Sequence, residues 1–148
     1  PSPYSELEAS PNTFKETAMP YLHLQLGQTI SSAQKRSLAR RSTDLIAAIL
    51  HKRAEVTAVR IACADDDGWH IAGEAVANDL TPAHGTLYIT AGTNTPAEKA
   101  EIIVALHRLL ADTCGPLPEA SYLVIHEMPA GNWGYDGRTQ AARQPARA

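Results

Sequence analysis

The feature of the sequence that most constrains the fold is an internal repeat, in which matching residues lie 64 positions apart. The segment "PYLHLQLGQTISSAQKRSL", from Pro20, resembles "HGTLYITAGTNTPAEKAEI", from His84. Further identities recur at the same spacing: Ala33 and Ala97, Lys35 and Lys99, Trp69 and Trp133, Gly73 and Gly137. Such spacing indicates a duplicated structural unit. We therefore expect two similar units, at about residues 20–80 and 84–138, that share one core.

Each unit has the pattern of a strand, a helix, a second strand and a short turn. In the first strand, leucines at 22, 24 and 26 alternate with polar or aromatic residues, the period of a half-buried strand. Capping boxes at Ser31–Gln34 and Thr95–Glu98 then predict the starts of two helices. The segments "VTAVRIAC" and "SYLVIHEM" predict the second strands, and "PAGNWGYDG" a Gly-rich turn.

Two strand–helix–strand units predict an α+β fold. A parallel strand pair with a crossover helix is right-handed, and two such units can join edge to edge. The result is a tandem βαβ-βαβ arrangement, a four-stranded sheet with both helices on one face. The other face of that sheet lacks a cover, so we expect a homo-oligomer to bury it.

Composition excludes several other classes of protein. The formal net charge is −3, and the basic run Lys35–Arg41 has helical spacing, which argues against nucleic acid as a partner. No apolar run is long enough to span a membrane. Cys63 and Cys114 lie in apolar segments, typical of reduced core thiols in a cytoplasmic protein. The six histidines lack metal-ligand spacing, and the acidic run "ADDDG" reads as a solvated turn, so we expect no metal.

Residues 1–19 differ in character from the remainder. The first 18 contain three prolines and three glutamates and no apolar segment of a signal peptide. We therefore divide the chain into an N-terminal extension, residues 1–19, and one domain, residues 20–148.

The chain resembles the tautomerase superfamily, which contains 4-oxalocrotonate tautomerase (4-OT), macrophage migration inhibitory factor (MIF) and the 3-chloroacrylic acid dehalogenases. The similarity lies in Met19-Pro20 before a strand, in Ser-x-x-Gln-Lys at a helix start, in "VTAVRI", and most specifically in "EMPAGNWGYDG" (residues 127–137). It covers residues 19 to about 138. It implies the fused type of the family, a homotrimer without a cofactor, acting on small enol or keto acids.

The resemblance implies that Pro20 is the catalytic base. The family uses an amino-terminal proline, whose secondary amine loses basicity when an apolar pocket disfavours its charged form. It can then move a proton between carbon and oxygen near neutral pH. An internal proline nitrogen is an amide and cannot do this. Activity therefore requires that Pro20 become an amino terminus, or that Pro1 reach the pocket on its 18-residue tether.

The resemblance also suggests residues that bind substrate. Arg60 matches a carboxylate-binding arginine, and a salt-bridged strand arginine is the alternative. Trp133 matches an aromatic pocket wall, and Trp69 is its repeat; a core or interface position is the alternative for both. Arg138 follows the turn and could add charge at the pocket, or lie on the surface. The loops "GQTIS" and "AGTNT" lack the arginine that related tautomerases carry there. We also aligned His84 with Pro20, which leaves one proline site per chain.

The leading hypothesis is a tautomerase, an isomerase of small enol or 2-keto acids. Two alternatives remain. One is a dehalogenase or decarboxylase of a three-carbon acid, whose paired arginines "AGTNT" lacks. The other is a catalytically silent binding or interaction protein whose proline is blocked by the extension.

Overall fold

The computed structural model describes residues 19–64 and 67–144 and shows strands and helices in the predicted order. The first repeat contains β1 (Tyr21–Leu26), α1 (Ser32–Leu50), a 3-10 turn (Ala54–Val56), β2 (Ala58–Cys63), β3 (His70–Ile71) and β4 (Glu74–Ala75). The second contains β5 (Ala83–Thr90), α2 (Pro96–Cys114), β6 (Tyr122–Met128), β7 (Gly134–Tyr135), β8 (Arg138–Thr139) and α3 (Gln140–Arg143). The predicted extension lies outside the described residues apart from Met19.

The four long strands form one mixed sheet in the order β2-β1-β5-β6. Strands β1 and β2 are parallel, as are β5 and β6, so each repeat is a βαβ unit. The two units meet through an antiparallel pairing of β1 with β5, in which Tyr21 lies opposite Tyr88 and Leu26 opposite Ala83. The predicted α+β fold and its four-stranded sheet are confirmed.

Both long helices begin where their capping boxes predict. The Ser31 hydroxyl accepts from the Gln34 backbone at 3.0 Å, and the Gln34 side chain accepts from the Ser31 backbone at 2.8 Å. Thr95 and Glu98 repeat this at 3.1 Å and 2.9 Å, with Pro96 at the first helical position. These bonds satisfy backbone N–H groups that a helix start leaves unpaired. Each helix is 19 residues long, so the repeat preserves helix length.

The core lies between the helices and one face of the sheet. Leu22, Leu24 and Leu26 of β1 are at most 1% exposed and pack with the buried stripes of α1 and α2. Burying one such side chain contributes about 1.5–3 kcal/mol. The alternate residues of each strand project to the other face, which neither long helix covers. We call it the open face.

Aromatic and basic side chains occupy the open face. Tyr21 of β1 stacks on Tyr88 of β5 at 5.7 Å between ring centroids, and Tyr88 stacks on His126 of β6 at 5.0 Å. The next row of the register places Arg60 beside His23. Strand alternation therefore gives the open face a composition unlike that of the leucine-rich face.

The segment between the first strand and the helix is one residue longer in the second repeat than in the first. Ala58 and Tyr122 are 64 positions apart, but their sheet partners, Tyr21 and His84, are 63 apart. The counterpart of Pro20 is therefore Ala83, and the alignment of His84 with Pro20 was wrong. The cause is one extra residue between strand and helix in the second repeat. Burial agrees, because Pro20 is less than 2% exposed and Ala83 is 2% exposed, whereas His84 lies on the open face.

Candidate active site

The sheet has two ends that the repeat makes equivalent. At one, β1 begins and β5 finishes; we call this the Pro20 end. At the other, β1 finishes and β5 begins; we call this the Ala83 end. Six residues of β1 separate them, a length of about 20 Å. A side chain at one end therefore cannot reach a ligand at the other end of the same chain.

Pro20 lies at the first of these ends, inside the protein. Its carbonyl accepts a hydrogen bond from the Ala58 backbone at 3.4 Å, which extends the β1–β2 pairing by one position. Continuing the β1–β5 register by one residue places Pro20 beside Ile89, a core side chain that is 0% exposed. An amine in such apolar surroundings has its charged form disfavoured. The preceding residue, Met19, is only partly buried.

Trp133 lies at the same end as Pro20. Its indole N–H donates to the Thr90 hydroxyl at 3.2 Å, and its carbonyl accepts from the Gln140 backbone at 2.8 Å. Thr90 is the last residue of β5, two positions beyond the partner of Tyr21. The turn between β6 and β7 is thereby held over the sheet end where β1 starts.

Lys52 is a buried cation at the Pro20 end that the sequence reasoning missed. It is 3% exposed, and its ammonium donates to the Thr93 hydroxyl at 2.8 Å. That hydroxyl in turn donates to the Thr90 carbonyl at 2.6 Å. One hydrogen-bonded path thus runs from Lys52 through residues 93 and 90 to Trp133. Nothing in "LHKRAEV" indicates that this lysine is buried, because lysine is usually exposed.

The loop from β5 to α2 fixes the surroundings of this lysine. Asn94 donates to the Leu50 carbonyl at 3.0 Å and to the Glu98 carboxylate at 3.1 Å. The other Glu98 oxygen lies 3.2 Å from the His51 imidazole. Residue 51 has a positive φ of 59°, which ends α1 in a left-handed turn. The segment "AGTNT" thus joins β5 to α2 and is hydrogen-bonded through Asn94 to the end of α1.

Arg60 lies on the open face and is exposed. In the β1–β2 register it stands three positions beyond the neighbour of Pro20, about 10 Å along the strand. Pro20, in contrast, faces the core. Within one chain the sheet therefore separates the Arg60 side chain from the apolar surroundings of Pro20.

Of the other two predicted residues, Trp69 lies apart from Pro20, and Arg138 lies in the hairpin that follows Trp133. Trp69 is at the Ala83 end, where its ring would stand 3.1 Å from a Cβ on Gly27. Within one chain, Trp69 and Trp133 therefore cannot line the same pocket. Arg138 is exposed on β8, and its guanidinium donates to the Ala142 carbonyl at 3.1 Å. This bond ties β8 to the short helix α3.

One ion pair lies near the Pro20 end, between Lys99 and Glu127. The Lys99 ammonium lies 2.7 Å from the Glu127 carboxylate, and this hydrogen bond lowers the Glu127 pKa. Lys99 lies in the first turn of α2, and Glu127 is the next-to-last residue of β6.

Two classes of site find no support in residues 19–64 and 67–144. Within these ranges, no three His, Cys, Asp or Glu side chains are grouped as a metal site would require. No helix in the same ranges has the length and apolarity needed to cross a membrane.

Burial raises the pKa of the Cys114 thiol to about 11, with a smaller contribution from Cys63, so Cys114 is a poor nucleophile.

Comparison with known proteins agrees with the fold. Residues 86–143 match the family model "Tautomerase", described as tautomerase enzyme. The wild-type fused 4-OT protein F6, described as an asymmetric trimer, has a TM-score of 0.73 and 20% identity, with 83% of this chain and 98% of that chain covered. No curated protein matches in sequence.

Two further structures extend the comparison beyond fused 4-OT proteins. An MIF-like protein from Entamoeba histolytica has a TM-score of 0.68 and 21% identity, covering 82% of this chain and 98% of its own. N1, a member of the cis-3-chloroacrylic acid dehalogenase family, has a TM-score of 0.69 and 18% identity, covering 80% of this chain and 82% of its own. The shared architecture is the tandem βαβ sheet.

Proposed function

We propose that this chain belongs to the tautomerase superfamily and that it catalyses proton transfer on a small enol or 2-keto acid when Pro20 is its amino-terminal residue. The observation that carries the proposal is the placement of Pro20 at the start of a central strand. There it adjoins the buried core, and the same sheet end holds Trp133 and Lys52. A secondary amine in that position is desolvated and therefore neutral near pH 7.

The roles of the surrounding residues follow from charge and position. Lys52 is buried at this sheet end, and its ammonium would hold the substrate carboxylate. Trp133 would cover the pocket and exclude water. Arg60 would serve from a neighbouring copy, because its own open face is the face that an oligomer covers. Arg138 would act at the rim, whereas Trp69 stands at the opposite end of the sheet and would lie outside this site.

The oligomer that we propose is a homotrimer. Its support is the uncovered open face with stacked aromatic side chains, together with a structural neighbour that is described as a trimer. Since the site lies at a sheet end beside that face, residues of a second copy would complete it.

The deciding experiment compares the full chain with a shortened chain that begins at Pro20 after removal of an initiator methionine. Small enol acids such as 2-hydroxymuconate or phenylenolpyruvate serve as substrates. A general base contributes about 10²–10⁴-fold, so the shortened chain should gain at least two orders of magnitude in kcat/KM. Pro20→Ala in the same chain retains a primary amine and should lose much of that gain. Equal activity of the full and shortened chains would show that Pro20 is not the base.

A second candidate function is a binding protein without catalysis. The observation favouring it is that the Pro20 ring is less than 2% exposed while its nitrogen is bonded to Met19. The intact mass of the protein purified from its native host separates the two candidates. A mass that begins at Pro20 supports the enzyme. A mass that retains Met19 and earlier residues supports the binding protein.

A further inference from the structure

The Ala83 end of the sheet carries a pocket of about 400 Å³. Small-molecule sites generally occupy about 300–1,000 Å³. Among the residues that line the pocket are Ala83, the counterpart of Pro20, and Trp69, the counterpart of Trp133. The second end of the sheet therefore carries a pocket in which alanine occupies the position that matches Pro20.

The walls of this pocket favour a flat, apolar ligand. Trp69 and Tyr122 present ring surfaces, and Ala83 and Ala120 add small side chains to the lining. Tyr122 is 64% exposed, which is high for an aromatic side chain. Ile71, from the β3–β4 hairpin, adds an aliphatic wall. A planar conjugated body could stack on these surfaces.

Two imidazoles supply the polar part of the pocket. The His84 ring nitrogen Nε2 lies 3.1 Å from the Thr86 hydroxyl. The His70 ring nitrogen Nδ1 lies 3.3 Å from the Gly68 carbonyl, which can only accept, so Nδ1 carries the proton. When the His84 Nε2 accepts from the Thr86 hydroxyl, the other ring nitrogen of His84 carries the proton and can donate to an anion.

We propose that this pocket is a second ligand site, distinct from the Pro20 end, and that it binds a small planar carboxylic acid. The ring body stacks between Trp69 and Tyr122, and the carboxylate accepts a hydrogen bond from the His84 imidazole. The site has no secondary amine, so it binds its ligand without turning it over. This inference does not require Pro20 to be catalytic.

The test uses trans-cinnamate as the probe and cinnamyl alcohol as its uncharged match. The chain has two tryptophans, so its ¹H–¹⁵N spectrum has two indole N–H signals, which Trp133→Phe assigns. Cinnamate should shift the Trp69 signal and bind about tenfold more tightly than the alcohol, because only its carboxylate is a charged acceptor. A shift of the Trp133 signal alone would place binding at the Pro20 end and overturn the proposal.

Two pairs of variants separate the site from general effects on folding. Ala120→Leu fills the pocket and should weaken cinnamate binding at least tenfold, whereas Ala77→Leu, on the other side of Trp69, should leave it unchanged. His84→Gln retains a partner for Thr86 but removes the imidazole, and should reduce the preference for cinnamate over the alcohol. Dispersed spectra confirm that each variant folds. Unchanged cinnamate affinity in folded Ala120→Leu would overturn the proposal, whatever the activity of a chain that begins at Pro20.

Discussion

Individual residues differ in how far the sequence could specify their roles. Pro20 and Trp133 were named from resemblance, and the structure places both at one sheet end. Lys52 was missed because its burial depends on a loop more than forty positions away, where the Thr93 hydroxyl accepts a hydrogen bond from its ammonium. A tertiary contact of this kind leaves no periodic signal in the local sequence. Arg60 was named correctly as a strand residue, but strand alternation directs it to the open face.

At this scale we predict that Lys52 binds substrate. In the active, shortened chain, Lys52→Met should raise KM about 10- to 100-fold and leave kcat almost unchanged, since a hydrogen bond to a charged group contributes about 1.5–3 kcal/mol. A contact made equally in the ground and transition states affects KM alone. Steady-state kinetics measure both constants.

Arg60→Met is the matched variant, and we expect it to raise KM as well. Because Arg60 would act from a neighbouring copy, its effect should disappear in any variant that is monomeric. An unchanged KM for either folded variant would assign that residue a structural role only.

Among the elements, the helices were the most predictable. A capping box is a local pattern of two side chains and two backbone groups, and both boxes form as the sequence indicates. The strands were also predicted, but the alignment of the first strands of the two repeats was wrong by one residue. An alignment scored on identity follows the helices, where Ala33 and Lys35 match Ala97 and Lys99. The strands have few identities, so only their backbone pairing shows the difference.

The β7–β8 hairpin is the element that positions Trp133, and Gly134 is essential to it. A Cβ at Gly134 would overlap the Arg138 carbonyl, which belongs to the backbone of the paired strand and cannot rotate away. We predict that Gly134→Ala costs about 1–3 kcal/mol of unfolding free energy. It should also change the Trp133 indole N–H signal as the bond to Thr90 is lost.

Gly131→Ala is the control for this prediction. It lies in the same turn, has no atom within 4 Å of a built Cβ, and does not have a positive φ. Urea denaturation with tryptophan detection compares the two variants. Equal stability and an unshifted indole signal in Gly134→Ala would contradict the prediction.

At the scale of the whole molecule, the sheet order could be predicted because parallel βαβ units have a fixed handedness and few ways to join. The predicted need for an oligomer followed from the same argument, since two helices cover one face of four strands. The pocket at the Ala83 end could not be predicted. It depends on how the β3–β4 hairpin, the start of β5 and the start of β6 stand together.

We predict that the chain is a trimer at micromolar concentration and that Val124→Glu dissociates it. Val124 lies on the open face, in the same row of the sheet as Thr86, and a buried carboxylate there would lack a partner. Val104→Glu is the matched control, because Val104 is 49% exposed on the outside of α2. Multi-angle light scattering measures the mass of each. A monomeric wild-type chain, or a trimeric Val124→Glu variant, would contradict the prediction.

The one-residue difference between the repeats has a practical consequence for protein engineering. Successive residues of a strand face opposite sides of the sheet. A substitution copied from the first repeat to the second must therefore be placed 63 positions later in the first strand but 64 positions later in the helix. To place a proline ring at the position that matches Pro20, an engineer would replace Ala83, and the chain would have to begin there for the nitrogen to be an amine. Replacing His84 would instead put the ring on the open face.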